Sequence, residues 1–211
     1  MHVTGITISK EQLEFGQKRA REEGLEDMVN LKFQDYRDLT GTYDRIVSIE
    51  MVEALGFKFF DTYFRKVSEV LAPDGIAVIQ AITFPEPHFH RYMRSVDFTK
   101  KHIFPGSLLL SLKEVFSSLN RTGDLCVSNI ESIGLHYART LRDWRMNFEE
   151  RLEEVRALGF DEAFIRKWRY YLAFCETGFS HRYINDVHLQ LTRPQNMALL
   201  NYIGGKSYDV P

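Results

Sequence analysis

Tyr43-Asp44-Arg45-Ile46-Val47-Ser48-Ile49-Glu50-Met51-Val52-Glu53 reads as a buried parallel strand, Ile46 to Ile49, that runs straight into two carboxylates. In open α/β sheets, ligands sit outside the carboxyl ends of the strands. Acids delivered there are candidates for binding or proton chemistry. Position alone leaves a second reading open for Glu50 and Glu53, because acids also suit the solvated first turn of a helix.

Upstream, His2 to Thr7 reads as a short strand. Ser9 then stands as an N-cap with Gln12 at the capping-box position, predicting a helix to about Glu23 that stops at Gly24. Val29 to Phe33 alternates as a strand does, and Asp35-Tyr36-Arg37-Asp38 is a polar turn after it. Downstream, Phe60, Tyr63, Phe64, Val67, Val70 and Leu71 recur at helical spacing. Pro73-Asp74-Gly75 stops that helix, and Ile76 to Ile82 is the continuous apolar run of a buried strand. Strand and helix thus alternate through Ile82, which predicts an α/β fold with a mostly parallel, doubly wound sheet. Pro85, Pro87 and Pro105-Gly106 break the pattern and predict a lid-like helical insertion over about 84–122. Leu125 to Ile133 resumes as a strand. Leu141, Trp144, Phe148, Leu152, Val155 and Leu158 predict one long amphipathic helix ending at Gly159. Asp161 caps another helix carrying Phe164 to Cys175, and Tyr183 to Leu191 closes as a strand. The expected organisation is one domain over 1–195 and a tail over 196–211.

Composition narrows the function. The 211 residues are 44% hydrophobic with a net charge of -2, so a packed core is expected and a nucleic-acid partner is not. Cys126 and Cys175 alone build no disulfide framework and have no metal-ligand spacing, which fits a reduced intracellular setting. No apolar run approaches the ~20 residues of a membrane span. Aromatic residues make up 13%, and many fall in the second half, predicting an apolar pocket there. The first strand is followed by Thr7-Ile8-Ser9 rather than a glycine loop, which argues against a nicotinamide-type site. His88-x-His90 lacks further ligands to close a metal site. Arg91, Arg94, Lys100 and Lys101 form a basic cluster that reads as a solvated face or as a contact for anionic lipid headgroups.

A set of ordered segments carries a resemblance. They are Val3 to Gln12, Asp35-Tyr36-Arg37, Asp44 to Glu53, Arg94 to Phe98, Ile103-Phe104-Pro105-Gly106, His136 to Leu141, Leu158 to Asp161, Tyr170-Tyr171-Leu172, Cys175-Glu176 and Gly178-Phe179. Over roughly 3–195 they resemble the cyclopropane fatty acid synthase family of S-adenosylmethionine-dependent methyltransferases, in the branch with a Glu-Met-x-Glu-Ala turn. The resemblance implies a class I methyltransferase (Rossmann-like) fold. It implies transfer of a methyl group from S-adenosylmethionine to a cis double bond of an unsaturated phospholipid acyl chain, with bicarbonate taking a proton as a cyclopropane ring closes. Methyl transfer without ring closure, and an inactive remnant, are the alternatives.

Residue by residue, the resemblance implies that Thr7 and Gln12 contact the cofactor and that Asp35 and Tyr36 lie near its adenine. Glu53 and Tyr137 would hold the bicarbonate, with the backbones of Ile49 and Ile82 facing it. Gln80 stands where the family often has a histidine of the bicarbonate shell. The setting implied is cytoplasmic and peripheral to the membrane. The chain begins just before what should be the second strand, so the family's first strand, its glycine-rich loop and the bicarbonate-site cysteine are not found in it. An N-terminally truncated fold of this kind is expected to expose two inner strand edges, to be marginally stable, and to favour association of copies.

Overall fold

The computed structural model describes residues 1–196, so the expected tail lies outside the described residues apart from Asn196. In chain order the elements are β1 (Val3–Thr7), α1 (Lys10–Glu22), β2 (Val29–Phe33), β3 (Tyr43–Ile49), α2 (Phe60–Val70) and β4 (Leu71–Thr83). They continue as α3 (Glu86–Arg94), α4 (Phe98–His102), α5 (Leu112–Thr122), β5 (Cys126–Ser132), α6 (Gly134–Glu150), α7 (Leu152–Ala157), α8 (Glu162–Ser180) and β6 (Asn185–Thr192). Short 3-10 turns at Tyr36–Asp38, Val52–Ala54 and Phe57–Phe59 follow β2 and β3.

Local signals set most boundaries. The Ser9 side chain accepts the Gln12 N–H at 3.2 Å and caps α1. Asp161 Oδ1 caps α8 through the Phe164 N–H at 2.7 Å. β3 stops because Glu50 adopts φ +48°, a left-handed conformation that cannot continue a strand. The predicted helix over Leu141–Leu158 is two helices. It starts earlier, at Gly134, and breaks at Arg151, whose φ -114° and ψ 27° are not helical.

The α/β class is as expected, and the pairing is mixed. β1 and β2 form a separate two-stranded parallel sheet. The remaining strands are ordered β3-β4-β6-β5, with β3–β4 parallel and both pairings of β6 antiparallel. Parallel pairing ends at β4 because α8 leads through Arg182, at φ +56°, directly into β6, which slots between β4 and β5. The helical excursion after β4 comprises α3 and α4. α5 returns to the sheet and docks on α2, where the Ser118 hydroxyl and the Arg121 guanidinium hydrogen-bond the Asp61 carboxylate.

The main core lies between the four-stranded sheet and α2 with α5. Phe60, Phe64, Ile79, Leu110, Val115 and Leu189 are buried there. Each such side chain contributes roughly 1.5–3 kcal/mol by leaving water. A smaller cluster of Ala138, Leu141, Leu172 and Phe179 joins α6 to α8. In contrast, β3 turns Val47 and Ile49 to solvent on one face, 70% and 55% exposed. The β1–β2 unit meets the rest of the fold around its 3-10 turn. Tyr36 packs edge-on against Tyr63 of α2, and Lys66 Nζ donates to the Leu39 carbonyl at 3.2 Å. Among the described residues no helix is long and apolar enough to cross a membrane.

Candidate active site at the strand ends

Four elements deliver polar groups to the carboxyl end of β4. The β3–β4 register places Ile49 beside Gln80, and the β4–β6 register places Gln80 beside His188 and Ile82 beside Asp186. Glu50 follows β3 directly, its N–H donating to the Gln80 carbonyl at 3.0 Å. Glu53 sits in the next turn and is 7% exposed. The segment Leu108–Leu110 covers it, with the Leu108 N–H donating to the Glu53 carbonyl at 2.8 Å. Tyr137 arrives from the first turn of α6. That helix starts hard against β6, where the Ile133 N–H donates to the Asp186 carbonyl at 2.8 Å. At Gly134 a β-carbon would collide with Asn185 Oδ1 and crowd the Asp186 backbone.

Gln80, Glu50, Asp186, His188 and Tyr137 form one hydrogen-bond network, and Glu53 binds the Ile82 N–H beside it. Gln80 Nε2 donates to Glu50 Oε1 and to Asp186 Oδ2, both at 2.8 Å. Gln80 Oε1 accepts from His188 Nε2 at 3.2 Å. Two carboxylates can share one amide only if its NH₂ faces them, so the Gln80 orientation follows from its partners. The Tyr137 hydroxyl donates to Glu50 Oε2 at 3.1 Å, and the Ile82 N–H donates to Glu53 Oε1 at 2.6 Å. Glu53 Oε2 and Asp186 Oδ1 are buried without a partner. Among the described residues no lysine or arginine pairs with Glu50, Glu53 or Asp186.

Burial and like charge shape the protonation of this cluster. Burial, with Glu50 and Asp186 nearby, pushes the Glu53 carboxyl up to about 7. Burial and Glu50 push Asp186 up to about 6. Burial and the Glu50 carboxylate raise the Tyr137 hydroxyl, keeping it a neutral donor.

The structure therefore brings Glu53, Gln80, Ile82 and Tyr137 together, and adds Glu50, Asp186 and His188. Glu50 was left open by the sequence. Asp186 shares the polar positions of the alternating strand β6 with His188 and Gln190, so its sequence position alone does not single it out. The same holds for His188 without the register. Ile49 lies at the free side of β3 rather than in the network.

Thr7, Gln12, Asp35 and Tyr36 lie apart from this network, at the carboxyl ends of β1 and β2. Thr7 Oγ1 donates to Gln12 Oε1 at 2.9 Å, and Gln12 Nε2 makes no hydrogen bond within the described residues. Asp35 caps its turn and grips Arg37 through both oxygens. Arg37 holds the Asp35 carboxyl below its ordinary range. Ile8 and Phe33 are exposed nearby. Hydrogen-bonding side chains beside free apolar surface at parallel strand ends fit an adenosine-bearing cofactor.

Bicarbonate fits poorly. Every donor that the resemblance gives it at this network already serves a carboxylate of the chain: Tyr137 and Gln80 on Glu50, Ile82 on Glu53. An added anion would sit beside the Glu50 carboxyl and the buried acids Glu53 and Asp186, and among the described residues no lysine or arginine pairs with them. The donors expected to hold the ion are taken up by the chain's own carboxyl groups.

Next to the network runs an open groove of about 460 Å³, lined by Phe104, Trp144, Phe148, Val155, Trp168 and Tyr171 among others. Trp144 packs edge-on against Tyr137 at 6.0 Å, which links the groove to the Glu50 network through one ring contact.

Comparison with known proteins places the chain among relatives. The tuberculostearic acid methyltransferase UfaA1 of Mycobacterium tuberculosis is 36% identical over 192 residues, covering 91% of this chain and 45% of that protein. The cyclopropane-fatty-acyl-phospholipid synthase of Escherichia coli is 36% identical over 181 residues, covering 85% of this chain and 44% of that protein. The chain thus spans about half the length of the curated relatives it matches. Among solved structures, the cyclopropane synthase MmaA2 from Mycobacterium tuberculosis superposes with a TM-score of 0.81 at 25% identity, covering 91% of this chain and 70% of that one. The mycolic acid cyclopropane synthase CmaA1 complexed with SAH and CTAB gives the same values. Residues 1–189 match the mycolic acid cyclopropane synthetase family. With that match over most of its length, and the fold of the S-adenosylmethionine-dependent methyltransferases, the chain belongs to the mycolic acid cyclopropane synthetase family.

Proposed function

We propose that this chain acts in S-adenosylmethionine-dependent transfer of a one-carbon unit to the cis double bond of an unsaturated phospholipid acyl chain, closing a cyclopropane ring. The observation that carries this reading is the Tyr137–Glu50 hydrogen bond, with the buried Glu53 carboxyl on the Ile82 N–H, beside an aromatic groove that Tyr137 reaches through Trp144. When bound, the cofactor supplies an electrophilic methyl group on a sulfonium. Thr7, Gln12, Asp35 and Tyr36 would hold it at the ends of β1 and β2.

Adding a methyl group to an alkene leaves a cation on the acyl chain. The Tyr137 and Trp144 ring faces can lower the energy of that cation, and the carboxylates offset its charge. An acyl chain filling the groove would displace the water that could quench the cation. Loss of a proton then completes the ring. In this reading the protein works at the cytoplasmic face of a membrane without spanning it, and Arg91, Arg94 and Lys101 meet anionic headgroups. Lys100 serves the fold instead, donating to the Tyr92 and Ser95 carbonyls and lying 3.5 Å over the Tyr92 ring.

A second reading, methylation without ring closure, is supported by the equal 36% identity to the tuberculostearic acid methyltransferase. One experiment tests both. The chain is incubated with vesicles of unsaturated phospholipid and cofactor carrying a deuterated methyl group, and the fatty acyl esters are analysed by mass spectrometry and proton NMR. Ring closure gives label with cyclopropane proton signals; a branch gives label without them. Acyl chains free of label would overturn both readings.

A further inference from the structure

We infer that Glu50 is the proton acceptor of this reaction, a carboxylate built into the chain at the place where the resemblance puts a bicarbonate ion. The inference rests on the proposed function and deepens it.

Three observations converge on Glu50. Its two oxygens take the hydrogen bonds of Tyr137 at 3.1 Å and Gln80 at 2.8 Å, so the donors expected to orient an exogenous ion orient a side chain instead. Its backbone is held at φ +48°, a conformation costly for a residue with a β-carbon and one that collects at functional sites. Its neighbours are arranged to keep it in place. Gln80 is tied on one side to Asp186 and on the other to His188, so its amide cannot turn away. Gln80 and Tyr137 are thus positioning groups.

The step balances without another reactant. A C–H bond of the added methyl group breaks, its electron pair forms the third carbon–carbon bond of the ring, and the proton ends on a Glu50 oxygen. The resulting neutral carboxyl stays within the same two hydrogen-bond partners and releases the proton to water after the product leaves.

The glycine variant is informative because φ +48° suits glycine, so Glu50→Gly relieves backbone strain while opening a space faced by Tyr137 and Gln80. Calorimetric titration with sodium bicarbonate is expected to show no binding to the unaltered chain and millimolar binding to E50G. Binding to the unaltered chain as strong as to E50G would overturn the inference, whatever the activity.

In the vesicle assay, the unaltered chain is expected to work equally well with bicarbonate present or stripped out. E50G and E50Q should each lose roughly 10²–10⁴-fold, the usual worth of a general base, and bicarbonate should restore E50G but not E50Q. Activity that falls when bicarbonate is stripped from the unaltered chain, or that survives in E50Q, would also overturn it. If the unaltered chain labels no lipid under any condition, the proposed function fails while the titration still decides which group holds the anion's place.

Discussion

Glu53 holds its carboxyl up to about 7, from an ordinary 4.5, because it is buried among other acids. Asp186 is displaced the same way, from 3.8 to about 6. Both folded-state values lie above the unfolded ones. The folded chain therefore keeps protons that the unfolded chain has released, and stability falls as pH rises from about 4.5 to 7. Each unit of displacement is worth about 1.4 kcal/mol. The arginine-paired carboxylates Asp61, Glu149 and Glu176 are pulled downward. Their contribution is lost only at lower pH, so the two effects separate. We predict that urea denaturation gives a higher midpoint at pH 5 than at pH 7.5, and that Glu53→Gln flattens this dependence. Equal slopes in the two proteins would show that Glu53 is not the buried acid responsible.

Elements matter here by where they begin. α6 carries Tyr137 to Glu50 only because Gly134 lets its first turn lie against the β6 backbone beside Asn185 and Asp186. We predict that Gly134→Ala shifts α6 outward and lengthens the Tyr137–Glu50 hydrogen bond. Labelled product should fall by at least about tenfold while near-ultraviolet circular dichroism still shows a folded chain; unchanged turnover would count against this placement. Farther along the same helix, Leu141 is buried against Leu172 and Phe179 of α8. The α6–α8 seam also carries Arg169–Glu149 and the pair Arg142 and Arg145 on Glu176. Those ion pairs are partly exposed and contribute little. Leu141→Ala should therefore cost about 2–5 kcal/mol in a denaturation experiment, well beyond the loss from Arg142→Ala.

At the scale of the molecule, the two sheets do not pair with each other, and β3 presents Val47 and Ile49 to solvent. Exposed apolar strand surface with unpaired backbone at its edge is a template for association. We predict that sedimentation shows concentration-dependent association of the 211-residue chain, and that Val47→Lys with Ile49→Lys suppresses it. A monomer at every concentration would contradict this reading of the β3 face.

Much of this protein was legible before any tertiary contact was known. The N-cap at Ser9, the left-handed stop at Gly24, the helix of Phe60 to Val70 and the cap at Asp161 follow from local hydrogen bonding and from spacing, which act within one element. The acids after β3 were visible for the same reason, since a strand end is a local feature. The break at Arg151 left no mark in a periodicity that runs on through Leu158. What only the tertiary structure decided is which side chains meet. Asp186 and His188 lie more than a hundred residues from Gln80, and they join it because β6 pairs antiparallel to β4. Strand register is a long-range property that no single segment encodes. The same register made Gln80 a clamp between two carboxylates, and it placed Glu50, ambiguous in the sequence, at the centre of the site.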